Sequence, residues 1–299
     1  TTNRTVLVYT CPPTITINKP TTLTNFGAID VNETLNWTIT DTNLDSIWWE
    51  YNSINTTVYV AANETNFTLT AGDYNGTLWA NDSVGNVNST TINWLYKIFQ
   101  NNETYNTTTF ETASETYKIN VTTNTSLTGA NLIYDGTSYA ATQSGTVWSR
   151  TLDIPTGIAT NTFNWSFTYA GDTITSGSNT QTVAGTNFSL CGGDGGAVEF
   201  LNFTYKDESD NTKILNGTIP SSTWLYYLGS GTTNKTYSFI NNTANAEYTF
   251  CATPADRNLT IDYSLQYHDQ EGTYIQRLLN PAATSFSNAT IGSSLASVT

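Results

Sequence analysis

Phe163-Asn164-Trp165-Ser166-Phe167-Thr168-Tyr169 sets an aromatic ring at every second position and a small polar residue between each pair. A strand turns successive side chains to opposite faces, whereas a helix would scatter these four rings around its circumference. The stretch therefore reads as one strand of a packed sheet, rings toward a core and amides and hydroxyls toward water. The same alternation recurs in Leu35, Trp37, Ile39; in Tyr117, Ile119, Val121; in Leu201, Phe203, Tyr205; and in Ile261, Tyr263, Leu265, Tyr267. No window of helical length sustains apolar residues at i, i+3 and i+4, and the one short helix the pattern allows lies around Tyr274 to Leu279. The expectation is an all-β chain.

Units of about 100 residues, the usual size of a small β-sandwich, make three in a chain of 299. Seams are expected near Lys97 to Asn102, after Ile92, Trp94 and Tyr96, and near Thr182 to Asn187, giving units 1–97, 98–185 and 186–299. Gly72-Asp73, Asn75-Gly76, Asp135-Gly136 and Asn216-Gly217 read as hairpin turns. The run Thr5-Val6-Leu7-Val8-Tyr9 is β-prone, and Pro12-Pro13 stops it from continuing as a central strand. It is either a strand donated to a neighbouring subunit through main-chain hydrogen bonds or a first strand packed on its own unit.

Ten Lys and Arg against 24 Asp and Glu give a formal charge of -14, which repels nucleic-acid phosphates and anionic membranes. Charged residues are only 11% of the chain, so 59 Thr, 24 Ser and 35 Asn must solvate the surface. Tyr, Phe and Trp, at 18, 12 and 8, supply the cores. No apolar run approaches the roughly 18 residues of a membrane helix, and the lack of any Met, even at position 1, reads as a removed secretion signal. Cys191 and Cys251 each end an alternating run within the last unit and are read as a disulfide, the alternative being two buried thiols. Cys11 is then free or bonded to another chain.

Asn-x-Ser/Thr sequons number 21, where this composition in random order would give roughly 10. The glycosylation candidates are Asn36, Asn66, Asn75, Asn88, Asn120, Asn164, Asn202, Asn216, Asn234 and Asn258; Asn55, Asn81 and Asn187 are among the other sequons. Seven sequons carry a bulky apolar middle residue: Trp37, Phe67, Val121, Trp165, Phe188, Phe203 and Leu259. On a strand that residue enters the core while Asn and Ser/Thr face solvent, so glycans would coat sheet faces and shield edges. The alternative is that Asn and Thr form an unmodified polar alphabet, as in a virion protein.

Searching for chemistry yields little. The single histidine, His268, reads as a solvated loop residue, and no GxSxG or HExxH is present. Cys191-Gly192-Gly193-Asp194-Gly195-Gly196 lacks the Lys and Ser/Thr of a phosphate loop and reads as a flexible turn. Asn81-Asp82-Ser83 with Gly85-Asn86, and Lys206 to Asp210, offer oxygen ligands without EF-hand spacing. One ring of Trp48-Trp49 must face outward, where it suits stacking on a sugar. No catalytic, cofactor-binding or metal residue is assigned.

The run from Ala71 to Val87, with Gly72-Asp73-Tyr74, Ala80-Asn81-Asp82 and Gly85-Asn86, resembles the closing hairpin of immunoglobulin-like repeats in prokaryotic surface proteins. That resemblance implies tandem immunoglobulin-like β-sandwiches, with Tyr74 as a corner tyrosine. The Asn-rich later thirds are similar to surface and fibre proteins of archaea and environmental viruses. The expectation is a non-enzymatic extracellular structural protein: a subunit of a glycosylated surface filament or surface layer that self-associates through strand edges into a homopolymer. It needs no cofactor, no nucleic acid and no membrane insertion. A virion fibre or host-recognition module binding a receptor or glycan is the other reading.

Overall fold

The computed structural model describes residues 11–70, 74–207, 209, 214–272, 274–287 and the backbone of 296–298. The apolar run at 5–9 and the Gly-Asp pair at 72–73 lie outside them. The described chain is all β, and its strands build tandem immunoglobulin-like sandwiches around three cores.

The first third holds β1 (Thr14–Lys19), β2 (Leu23–Ala28), β3 (Asn32–Thr40), β4 (Leu44–Tyr51), β5 (Ile54–Val58), β6 (Glu64–Thr68), β7 (Asn75–Asp82), β8 (Val87–Asn93) and β9 (Leu95–Thr104). One sheet runs β1-β3-β6 and the facing one β5-β4-β7-β8. Alternation sends Leu35 and Trp37 from the first sheet against Ile47, Trp49, Leu78 and Ala80 from the second, with Trp94 and Phe67 closing the layer.

The middle third holds β10 (Thr108–Phe110), β11 (Ser114–Thr123), β12 (Leu127–Tyr134), β13 (Thr137–Ala140), β14 (Thr142–Ser144), β15 (Val147–Asp153), β16 (Ala159–Tyr169), β17 (Asp172–Thr175) and β18 (Asn179–Ala184). Its sheets are β10-β18-β16-β12-β13, with β17 also on β16, and β14-β15-β11-β9-β2. Phe163, Trp165, Phe167 and Tyr169 all point inward from β16, as their spacing requires, against Tyr117, Ile119 and Val121 of β11.

The last third holds β19 (Asn187–Leu190), β20 (Glu199–Thr204), β21 (Gly217–Tyr227), β22 (Lys235–Ser238), β23 (Asn241–Asn245), β24 (Glu247–Thr253), β25 (Leu259–Asp269), β26 (Arg277–Leu279), β27 (Thr284–Phe286) and β28 (Ala296–Val298). Its sheets are β19-β24-β20-β28 and β22-β21-β25-β26, with β23 on β21 and β27 on β25. Trp224 sits fully buried between Phe250 and Tyr263, ring centroids at 4.7 and 4.6 Å. Cys191, just past β19, is bonded to Cys251 of β24, and Cys11 is free and exposed.

Several local expectations are corrected. Tyr274 to Leu279 is not helical; Arg277–Leu279 pairs with Leu265, Gln266 and Tyr267 along the edge of β25, where main-chain partners outweigh a short helix. Of the described glycine turn signals, Asp135-Gly136 is a hairpin with both φ positive, at 47° and 75°. Asn75-Gly76 instead opens β7, and a Cβ on Gly76 would stand 2.2 Å from the Trp49 ring. Gly217 likewise opens β21, where a Cβ would stand 2.6 Å from the Tyr205 ring. Both glycines seat an aromatic ring on the backbone rather than turn the chain. The Gly-rich run after Cys191 is pinned as well: Gly195 N donates to Ser189 Oγ at 2.7 Å, and a Cβ there would meet the Cys251 carbonyl at 2.3 Å.

Candidate functional site

The chain passes from first core to second as one unbroken strand. Along β9, Leu95–Gln100 pairs in parallel with β2, and Ile98–Thr104 pairs antiparallel with β11. The expected seam at Lys97 to Asn102 is therefore strand, laddered on both sides over Ile98 to Gln100, and no loop intervenes. Beside it a cleft of about 380 Å³ is lined by Phe26, Val31 and Glu33 from one side and Gln100, Glu103 and Asn179 from the other. Glu103 receives Trp165 Nε1 at 2.7 Å and Asn179 Nδ2 at 2.8 Å. Burial raises its pKa against the pull of those hydrogen bonds.

The second seam is made differently. Only Gly185 and Thr186 separate β18 from β19, and loops of the middle unit close on the β21 to β22 connection through side chains. Lys235 Nζ reaches Glu111 Oε2 at 2.7 Å, the one ion pair among the described residues. The same carboxylate also takes Thr186 N at 3.0 Å and Gly157 N at 2.6 Å. Burial pushes Glu111 up, but the Lys235 ammonium and these amides outweigh it and hold the carboxyl below its ordinary value.

Asp153 forms the second clamp: Ser230 N and Oγ and Thr232 N and Oγ1 all donate to it, the hydroxyls at 2.7 and 2.8 Å. Its pKa is likewise lowered, burial being outweighed by the Ser230 and Thr232 donors. Thr112, fully buried, holds a positive φ of 63°, an unfavourable conformation for a β-branched residue. Its Oγ1 accepts Leu228 N at 3.1 Å across the seam, so the strained residue is also an interface acceptor. Gly229 passes so close that a Cβ would lie 2.6 Å from Asp153 Oδ1 and 2.7 Å from the Thr112 carbonyl. The Arg257 guanidinium, 5.2 Å from the Phe110 ring centroid, adds a cation–π contact.

None of the ten glycosylation candidates is buried: Asn66, Asn75, Asn88, Asn216, Asn234 and Asn258 are exposed, and Asn36, Asn120, Asn164 and Asn202 half-buried. The seven bulky middle residues all lie in cores. Asn187-Phe188-Ser189 departs from the outward geometry, because Ser189 is buried under Gly195 and Asn187 Oδ1 accepts from Lys235. Some candidates are engaged at the nitrogen that would carry a sugar: Asn88 Nδ2 donates to the Pro13 carbonyl at 2.7 Å and Asn234 Nδ2 to Gly231 O at 3.0 Å. Elsewhere the outer faces use neutral cross-strand pairs, Thr77 with Thr91 at 2.9 Å and Thr116 with Thr151 at 2.7 Å, where other sheets use charges.

The remaining sequence candidates are structurally engaged. His268 is not a loop residue; it lies in β25 opposite Thr218, its Nδ1 donating to the Asp269 carbonyl at 2.7 Å and its Nε2 hydrogen-bonded with Thr218 Oγ1 at 3.1 Å. The Asp82 carboxylate binds its own turn, taking Val84 N at 3.0 Å and Asn86 N and Nδ2 at 2.8 Å, which leaves it poorly placed as a calcium ligand. Among the described residues no group of three His, Cys, Asp or Glu side chains is placed to hold a metal ion, and no helix is long and apolar enough to cross a membrane. Sequence reading missed Glu111, Asp153 and Lys235, whose partners lie 46 to 124 residues away with no local signature.

No family model and no curated protein matches the chain. Among solved structures it is similar to fibronectin(III)-like modules of Clostridium thermocellum CbhA, at 11% identity and a TM-score of 0.27 over 57% of this chain and 93% of that one. An I-band fragment of titin follows at 10% identity and 0.26 over 92% and 98%, and the tandem immunoglobulin repeats of Dlar at 8% and 0.24 over 58% and 98%. At such scores the fold assignment rests on the strands, pairings and cores of this chain itself, which are those of tandem immunoglobulin-like sandwiches.

Proposed function

We propose that this chain is an extracellular structural protein, a subunit of a glycosylated surface filament or surface layer that self-associates through strand edges. The observation that carries this reading is the pair of seams: a through-strand and a clamp tie the sandwiches end to end, which suits a part that bears load or sets spacing. Edge chemistry supports self-association. The outer strands β13 (Thr137–Ala140) and β14 (Thr142–Ser144) hold no charged residue and no proline, the usual guards against edge pairing. Sequons on outward faces support a glycan coat that keeps the other surfaces apart.

The test is negative-stain microscopy of native material beside its intact mass. Regular filaments and a mass above 32.7 kDa are expected. Gln143→Lys, which adds a charge to β14, should shorten or abolish the filaments while leaving the monomer folded. Unmodified mass with dispersed monomers would overturn the reading.

A further inference from the structure

Trp48 and Trp79 stand directly opposite each other on β4 and β7. Their neighbours Ile47, Trp49, Leu78 and Ala80 fill the first core, so period two turns these two indoles to the outer face. They stack there, centroids 5.8 Å apart and planes within 2°, half-buried and outside the core cluster. Trp79 Nε1 donates to Glu50 Oε2 at 3.3 Å, which fixes the ring and leaves a carboxylate at its rim.

Register brings a sequon to this pair. On β5, Thr57 lies opposite Trp48 and Asn55 opposite Glu50, so Asn55 and Thr57 of Asn55-Thr56-Thr57 share the outer face with the indoles. Asn55 is exposed, and its diagonal neighbour is Trp48, a separation of about 7–8 Å between such positions. A pyranose linked to Nδ2 spans that gap. Its flat C–H face matches an indole surface, and its hydroxyls can donate to Glu50.

We propose that the Trp48–Trp79 pair seats the first sugar of an N-linked glycan carried on Asn55. The inference rests on the reading of the chain as glycosylated and deepens it by assigning one occupied sequon and the surface that orders its sugar. Asn66, an exposed sequon on β6 in the facing sheet and remote from the pair, serves as the control.

Native protein, N55Q, N66Q and a W48T/W79T double variant would be compared by glycopeptide mass mapping and acrylamide quenching of tryptophan emission. The Asn55 peptide should carry a sugar. N55Q should raise quenching, N66Q should leave it unchanged, and the effect of N55Q should vanish in the W48T/W79T background. Sugar on other sequons but not on Asn55 overturns this inference and leaves the glycoprotein reading standing, as does an occupied Asn55 whose removal leaves quenching unaltered. Absence of sugar from every sequon overturns both.

Discussion

Between the first and second sandwiches the chain crosses as backbone; between the second and third it is held by side chains. In β9 the residues Ile98 to Gln100 pair with β2 on one side and β11 on the other, so parting the units means breaking ladders in both. At the other junction the side chains of Glu111, Thr112 and Asp153 grip Lys235 and the amides of Leu228, Ser230 and Thr232, and the backbone contributes single donors and a two-residue connection, with no ladder across the joint. Main-chain ladders tolerate nearly any side chain and ignore pH. A carboxylate clamp is specific and titratable. The first seam is therefore the permanent joint and the second the adjustable one.

The largest effect should come from breaking the through-strand. Gln100→Pro removes an amide from a strand paired on both sides and should cost about 3 kcal/mol or more, with the first two cores losing stability together in denaturant titration. Gly229→Ala comes next. A methyl group forced against Asp153 and the Thr112 carbonyl should cost about 1–3 kcal/mol and split the calorimetric transition of the second and third units in two. If that transition stays single, the clamp does not couple the units.

Acid should act with opposite sign on Glu103, beside the first seam, and on the carboxylates that clamp the second. The folded pKa values of Glu111 and Asp153 are depressed, so their contribution is present at neutral pH and is lost as pH falls through those folded values. Glu103 is raised, so its contribution is full below the ordinary glutamate pKa of about 4.3 and is lost as pH rises through its folded value. Acidification should release the third unit from the second while the first two stay joined, read by limited proteolysis between Thr182 and Asn187 at pH 7 and in acid. Asp153→Asn should blunt that acid response. The smallest change is expected from Glu103→Gln, which mimics the protonated acid: it removes the charge and keeps one acceptor oxygen for Trp165, while Asn179 must turn its own amide to accept from the new NH2. Its thermal stability should match that of the parent in acid and slightly exceed it at neutral pH.

Legibility in the sequence followed the range of each interaction. Phe163 to Tyr169 announced their face because strand geometry repeats every two residues, and the same rule put Trp37, Phe203 and Ile261 inside. The glycine signals misled where an aromatic from a distant strand had claimed the backbone: Gly76 is glycine because of Trp49, and Gly217 because of Tyr205. A turn and a ring seat look alike along the chain, since both require the missing Cβ. Arg277 to Leu279 became strand because the edge of β25 was waiting for it.

By itself, then, the sequence determined the all-β class, the inward faces of the strands and a sparsely charged, Asn- and Thr-rich exterior, because period and composition are local properties of the chain. Which glycine turns, which indole remains on the surface beside Asn55, and how the sandwiches are joined were decided only by tertiary structure. Each of those depends on partners tens of residues or more apart, such as Lys235 and Glu111 at a separation of 124, and such proximity is created by folding alone.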